Sequence, residues 1–422
     1  MKKLLVITLG HLSGGEFTIA FEFCKRLPKQ DYDVFFLTSS KGEGYLKQNH
    51  IKHVILRQSD DAEILADDKL RNHKIAKDLI QNYKPDYILL SDAYTMWYSC
   101  SWTGVDFEML KETNIPVGSF DSYEFSSTDY VQDYYGGYKA ALPDFIDQCD
   151  FVIRYCPINK PYHADSRIKC TYLFERFPEV SKEEKERFYK NYQSEGNEKV
   201  IFLTNSDWES LNINRLPALS NLLDWTPKII MNYIYEMDEN ITIIHVGPKS
   251  WEIDSLNSEK IKYFHYRFLP PAEFDFLLSM SDVFLTTNII SSTLAKAVYA
   301  SVPSIVLQND KLINFEKMSA GIKKMPKWYQ EMAEDVKIAY PFRLFPFGWF
   351  WFLEKVLEHN PYTETFVPVN MFQKKKVKAI LTKYLTNEEA RIQLKEKQKE
   401  YVEQIMKLPS SKEVMESIKT ER

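Results

Sequence analysis

The side chains best suited by type to do chemistry stand just past the ends of short apolar runs. Leu4–Leu9 is followed by Gly10-His11-Leu12-Ser13-Gly14-Gly15-Glu16, Pro85–Leu90 by Ser91-Asp92, and Ile115–Phe120 by Asp121-Ser122-Tyr123-Glu124. Further on, Val200–Thr204 runs into Asn205-Ser206-Asp207, Ile241–Val246 into Gly247-Pro248, Ile261–His265 towards Arg267, and Val283–Leu285 into Thr286–Thr293. The imidazole of His11 suits a general base near neutral pH, or a loop hydrogen bond. Asp92 could hold that imidazole in one tautomer, and Asp121 is a second candidate base; either could instead cap a following helix. Glu16 is a carboxylate near a helix start, where it is stabilising in any case. Gly14-Gly15 permits close approach of backbone to a ligand, or a tight turn. Ser291, Ser292 and Thr293 lie where a helix begins, with N–H groups and hydroxyls able to meet an anion or simply to cap. Lys296 follows three residues later on nearly the same face, within reach of a phosphate or solvated. One set of loops thus offers groups that could take a proton, the other a helix start that could hold an anion.

The elements that must position these residues are parallel strands alternating with helices. Leu4–Leu9, Asp33–Thr38, Val54–Leu56, Pro85–Leu90, Ile115–Phe120 and Phe151–Ile153 read as strands of a first half, with helices over Phe17–Leu27 and Ile64–Tyr83. The pattern fails between about Lys169 and Glu198, where charge rises, and restarts at Val200. Expected domains are therefore 1–170 and 199–373, both α/β, with a linker over 171–198 and C-terminal helices over 374–422 packing across the domains. Val377–Leu408 reads as a solvated helix with little apolar content. Ligands of such sheets bind outside the carboxyl ends of the strands, which selects the loops named above.

Composition narrows the classes. A chain of 422 residues exceeds one ordinary core, and a net charge of −5 implies no general nucleic-acid surface. Five scattered cysteines without a CxxC pair suit neither a disulfide framework nor a zinc knuckle and fit a reducing, cytoplasmic setting. The opening MKKLLVITLG imitates a signal peptide but is too short and lacks a cleavage site, so it reads as a first strand. Phe345–Leu353 is apolar but too short to span a membrane. No metal is expected. Asp31-Tyr32-Asp33 is nominally a DxD motif, but it precedes a strand, and the eight histidines show no HExxH or HxxxH spacing.

LSGGEFTIAFEFCKRL followed by DVFFLT resembles the first loop and helix of the GT-B superfamily of glycosyltransferases. SDVFLTTNIISSTLAKAVYASVP resembles that superfamily's donor-binding unit, and FPFGWFWFL with LPSS near Leu408 resembles an uncharacterised glycosyltransferase-like subgroup. The resemblance covers most of the chain. It implies two Rossmann-like parallel-sheet domains facing a cleft, with C-terminal helices. The first domain would take the acceptor and the second a nucleotide-sugar. In that setting His11, Asp92 and Asp121 are the candidate catalytic residues. Gly14, Gly15, Asn205, Gly247, Arg267, Asn288, Ser291, Ser292, Thr293 and Lys296 are the candidate donor- and phosphate-binding residues. Tyr94, Trp97, Trp102 and Tyr123 could line an aromatic acceptor pocket or belong to the core. Members of the superfamily often carry a ribose-binding glutamate where this chain has Lys296, and retaining members a second one where it has Asn288.

The resemblance implies a metal-independent, hexosyltransferase-like enzyme using a nucleotide-sugar co-substrate, UDP- or TDP-linked, and a small-molecule or glycan acceptor, without a further cofactor. A nucleotide-sugar epimerase and a catalytically inactive GT-B binding or stabilising partner are the alternatives. Lys296 and Asn288, standing where acids are usual, motivate the last.

Overall fold

The computed structural model describes residues 1–10, 14–59, 65–124, 131–133, 139–141, 144–161, 166–175, 177, 180–192, 198–206, 222–256, 258–307, 315–339 and 353–418. The chain divides into two compact units. The first comprises Met1–Tyr130, Ala141–Glu175 and Gln404–Arg422, and the second Val131–Ala140 and Arg176–Glu403.

The first unit is built on strands β1 (Lys2–Thr8), β2 (Tyr32–Thr38), β3 (Lys52–Ile55), β4 (Tyr87–Leu90) and β5 (Val117–Phe120). In sequence, a small two-stranded sheet of β6 (Val131–Asp133) and β7 (Lys139–Ala141), which belongs to the second unit up to Ala140, intervenes before β8 (Phe151–Cys156) and β9 (Ile168–Tyr172) of the first. The main sheet has seven strands in the order β3-β2-β1-β4-β5-β8-β9, and every pair is parallel. Continuous apolar runs form these strands because both faces are covered. Leu5, Ile7, Ile88, Leu90, Val117 and Val152 share a core with Ile80, Trp102 and Leu110, and the alternate residues Leu4, Val6 and Leu89 are equally sealed. Phe151–Ile153 was expected to close this half, but a seventh strand follows it. The short run at β9 is only half-buried, an edge strand without the continuous apolar signal of its neighbours.

The second unit contains β10 (Lys199–Thr204), β11 (Ile241–Val246), β12 (Ile261–Tyr266), β13 (Val283–Thr286), β14 (Ser304–Leu307) and β15 (Val367–Val369). Their order is β12-β11-β10-β13-β14-β15, again parallel throughout. Both sheets therefore reverse direction beside their first strand, the switch point at which doubly wound folds bind ligands.

The C-terminal segment differs from the solvated helix expected of it. Two helices, Lys374–Thr386 and Glu388–Ile405, are followed by a third, Ser411–Ser417. Val377, Leu381 and Leu385, four residues apart, form one stripe buried in the second unit's core. The apolar content is low but concentrated on one face, which suffices to dock a helix. Gln398 is fully buried, and its Nε2 donates to the carbonyls of Val302 and Thr365, each at 2.9 Å. Ser411–Ser417 lies against β9, where the Thr171 hydroxyl donates to the Pro409 carbonyl at 2.7 Å.

Among the described residues, no helix is long and apolar enough to cross a membrane, and no group of three or more His, Cys, Asp or Glu is placed to hold a metal ion.

Candidate active site

In the first unit, strand register brings the acids together. Ile7 pairs with Leu90, Leu90 with Ser119, and Phe120 with Ile153. Asp92, Asp121 and Arg154 consequently fall level at the carboxyl edge, beside the end of β1. Asp121 and Arg154 are buried and joined at 2.9 Å between Oδ2 and Nε. Next to them the Tyr155 hydroxyl donates to Ser122 Oγ at 2.9 Å.

Asp92 caps the helix Ala93–Thr103, accepting the Thr95 N–H at 2.6 Å. Burial pushes its carboxyl up to about 6, and the nearby Asp121 charge acts in the same direction. The Thr95 hydroxyl donates to Glu16 Oε1 at 3.0 Å, so one threonine ties both carboxylates, one through its backbone and one through its side chain. Glu16 lies so close over Gly10 that a Cβ there would come within 1.9 Å of Oε2. Close approach thus belongs to Gly10. Gly14 has an ordinary φ of −95° and open space where a side chain would be, so neither a tight turn nor crowding demands glycine. Gly15 opens the helix Gly15–Lys25. His11 lies outside the described residues.

Of the four aromatic residues considered for an acceptor pocket, Trp102 and Tyr94 are core side chains. Trp97 is 41% exposed, with the Tyr98 and Phe145 rings at centroid distances of 4.8 and 5.6 Å. Tyr123 is half-buried beside Ser122.

In the second unit, Thr204 is in register with both Val246 and Thr286, and Val246 with Tyr266. Asn205, Gly247, Arg267 and Thr287 therefore leave the sheet level with one another. Arg267 and the adjoining Phe268 are exposed. Asn288 is buried, and its Oδ1 accepts the Ile290 N–H at 3.0 Å, shaping the turn into the next helix. Ser291 caps that helix, Ser292–Tyr299, accepting the Thr293 N–H at 3.1 Å. Ser292 and Thr293 occupy its half-buried first turn. The Lys296 ammonium pairs with Asp275 at 2.7 Å and lies 5.6 Å from the centre of the Phe274 ring.

Sequence reasoning missed the most connected polar side chain of this edge, His245. It is fully buried and joins Tyr263 Oη through Nδ1 at 2.5 Å and Asn205 Oδ1 through Nε2 at 2.6 Å. Burial, with His265 beside it, pushes its imidazole down to about 3, so the ring is neutral. The available signal was a lone histidine inside the buried strand ITIIHV, two residues before Gly247. Gly247 is required there, since a Cβ would stand 2.1 Å from Asn205 Oδ1 and 2.8 Å from His245 Nε2.

Two parallel sheets in these strand orders, with flanking helices, define the glycosyltransferase GT-B fold, and solved structures agree. The calicheamicin glycosyltransferase CalG4 matches with a TM-score of 0.55 at 10% identity, over 99% of this chain and 98% of that one. Anabaena Alr3699/HepE, solved in complex with UDP and glucose, gives the same figures. A Listeria monocytogenes protein assigned as a UDP-N-acetylglucosamine 2-epimerase matches with a TM-score of 0.51 at 10% identity, over 99% and 94%. No curated protein sequence matches. The chain belongs to the family of unknown function DUF6365, whose model matches residues 23–422.

Proposed function

We propose that this protein is a metal-independent glycosyltransferase that moves a sugar, of the hexose kind, from a UDP- or TDP-linked donor to a hydroxyl of a small-molecule or glycan acceptor. The observation that carries this reading is Asp92. It is a half-buried carboxylate at the switch point of the first sheet, with its protonation equilibrium raised to about 6 by desolvation. A carboxylate so poised is ionised at neutral pH, yet more basic than an exposed one. It can take the acceptor's hydroxyl proton directly, or hold His11 in the tautomer that does. The acceptor oxygen then bonds to the anomeric carbon. The bond from that carbon to the phosphate oxygen breaks, and the nucleoside diphosphate leaves with the electron pair.

The second unit supplies uncharged donors for the leaving diphosphate: the Asn205 carboxamide, the backbone beyond Gly247, the Ser292 N–H and the hydroxyls of Ser291–Thr293. Arg267 offers an exposed cation. Asp121, paired with Arg154, is not the base in this scheme. The nucleotide-sugar is a co-substrate, and the scheme uses no resident cofactor.

The test is turnover of UDP- and TDP-sugars with a panel of hydroxylated acceptors. Release of UDP or TDP dependent on acceptor, and lost in Asp92→Asn, supports the reading. Nucleotide-sugar consumed without acceptor and converted to its epimer favours an epimerase.

The ion pair of Lys296 with Asp275 favours a second reading, in which the fold serves as a binding or stabilising partner. No acid stands at that position to hold a ribose. A chain whose melting temperature moves with none of UDP, TDP, GDP, ADP or CMP would support this. A ligand at about 100 times its dissociation constant would stabilise by about 2.7 kcal/mol.

A further inference from the structure

We infer that His245 is a positioning residue, which turns the Asn205 carboxamide so that its NH2 group faces the ligand's phosphate at the carboxyl edge of β10. The inference rests on the glycosyltransferase reading for the identity of the ligand. Its geometry stands on the second unit alone.

The direction of the hydrogen bonds follows from their donors. The Trp251 backbone N–H donates to Tyr263 Oη at 2.7 Å. An N–H can only donate, so Oη accepts there with one lone pair and keeps its proton and its other lone pair for His245 and Ser250. With the Asn205 oxygen facing Nε2, the ring hydrogen is placed on Nε2, and Nδ1 takes the Tyr263 proton, 2.5 Å away. Nδ1 is then the acceptor nitrogen of a neutral ring, and Nε2 carries the hydrogen. Nε2–H donates to the Asn205 carboxamide oxygen at 2.6 Å. The two Nδ2 hydrogens consequently point away from the histidine, and no hydrogen bond among the described residues takes them up. The neutrality of His245 agrees with this assignment, since a charged imidazole would need an acceptor at Nδ1 as well.

The surroundings hold the chain of bonds in place. The His245 ring lies against Trp251, Tyr263 and His265, with centroids 4.9, 5.9 and 5.2 Å away. His265 Nε2 is 2.9 Å from the Gly247 carbonyl, fixing the one residue whose missing side chain leaves room for the Asn205–His245 bond. A preorganised neutral donor of this kind stabilises charge on a leaving group without having to reorient during reaction.

The test is a double-mutant cycle on the full-length chain, with binding read by calorimetry for UDP and TDP and, separately, for inorganic pyrophosphate, which needs no nucleoside recognition. Asn205→Ala and His245→Phe should each weaken binding about tenfold, and the double variant by about the same factor, not a hundredfold. Gly247→Ala, which keeps every polar group but crowds the bond, should match His245→Phe. Long-range nitrogen–proton correlation should show the Nε2–H tautomer of His245 in the wild type. Factors that multiply, full affinity in a folded His245→Phe chain, or an Nδ1–H tautomer would each overturn the inference. If His245→Phe fails to fold, Gly247→Ala and the tautomer decide. Wild-type binding of pyrophosphate without UDP or TDP would overturn the glycosyltransferase reading and leave the positioning role standing if the cycle is non-additive. Binding of neither would overturn both.

Discussion

Asp121 and Arg154 form a sealed ion pair, with 0% and 2% of their side chains exposed and 2.9 Å between Oδ2 and Nε. Removing one member of such a pair leaves an uncompensated charge in the interior. Arg154→Met should therefore destabilise the first unit by about 3–5 kcal/mol. The double variant Asp121→Asn, Arg154→Met should recover a large part of the loss. Urea denaturation at pH 7 measures both, and equal stabilities for the two variants would refute the assignment.

Asp92→Asn keeps a residue that caps helices well while removing the charge. The folded carboxyl sits at about 6 against an ordinary 3.8, so it is raised. Its contribution to stability is complete below about pH 4 and is lost as pH rises through 6. The difference of about 2.2 pH units corresponds to about 3 kcal/mol. Asp92→Asn should accordingly gain on the wild type by up to that amount between pH 4 and 7 while losing turnover. An asparagine variant that is both less stable at pH 7 and fully active would contradict the role given to Asp92.

Wild-type turnover should fall as pH drops through about 6, where Asp92 takes up a proton. A rate that stays level from pH 5 to 8, with the chain folded throughout, is the opposing result.

Lys296 is held by Asp275, and both side chains are partly exposed, so the pair is worth about 0.5–1 kcal/mol after solvent screening. Lys296→Met should lower stability by no more than that and leave nucleotide affinity within about twofold of wild type. A tenfold loss of affinity would return Lys296 to the phosphates.

Gln398→Leu strands the carbonyls of Val302 and Thr365 and should cost about 1–3 kcal/mol. Thermal unfolding of the full chain checks it. An unchanged melting temperature would show that water replaces the amide.

Much of the fold could be read from sequence because buried parallel strands advertise themselves. ITIIHV matches β11 residue for residue, and Ser291–Thr293 do stand at a helix start. Short or half-exposed strands such as β9 and β15 carry no such run and were missed. The tail helices were misjudged because apolar fraction hides a stripe as regular as Val377, Leu381 and Leu385. At the candidate site, the rule that ligands lie beyond strand ends found Asp92, Asp121 and Asn205. It could not show that Asp121 is neutralised by Arg154, since register alone places them level. Nor could it distinguish Gly10, which a carboxylate presses against, from Gly14, where a side chain would meet open space among the described residues. Glycines look alike until their neighbours are known. The hydrogen-bond chain through His245 depends on three strands and a loop, a conjunction that no local pattern records.

The division of the chain also sets an order of events at the ribosome. The first unit runs to Glu175 and is completed only by Gln404–Arg422. At roughly 5–20 residues per second, the 228 residues between those points, 176–403, take roughly 10–45 s to synthesise. For that interval β9 emerges without the helix Ser411–Ser417 that later lies against it. A nascent chain stalled before residue 404 should accordingly be more open to protease along β9 than the full chain, and Gln404–Arg422 acts as a clasp on the first unit.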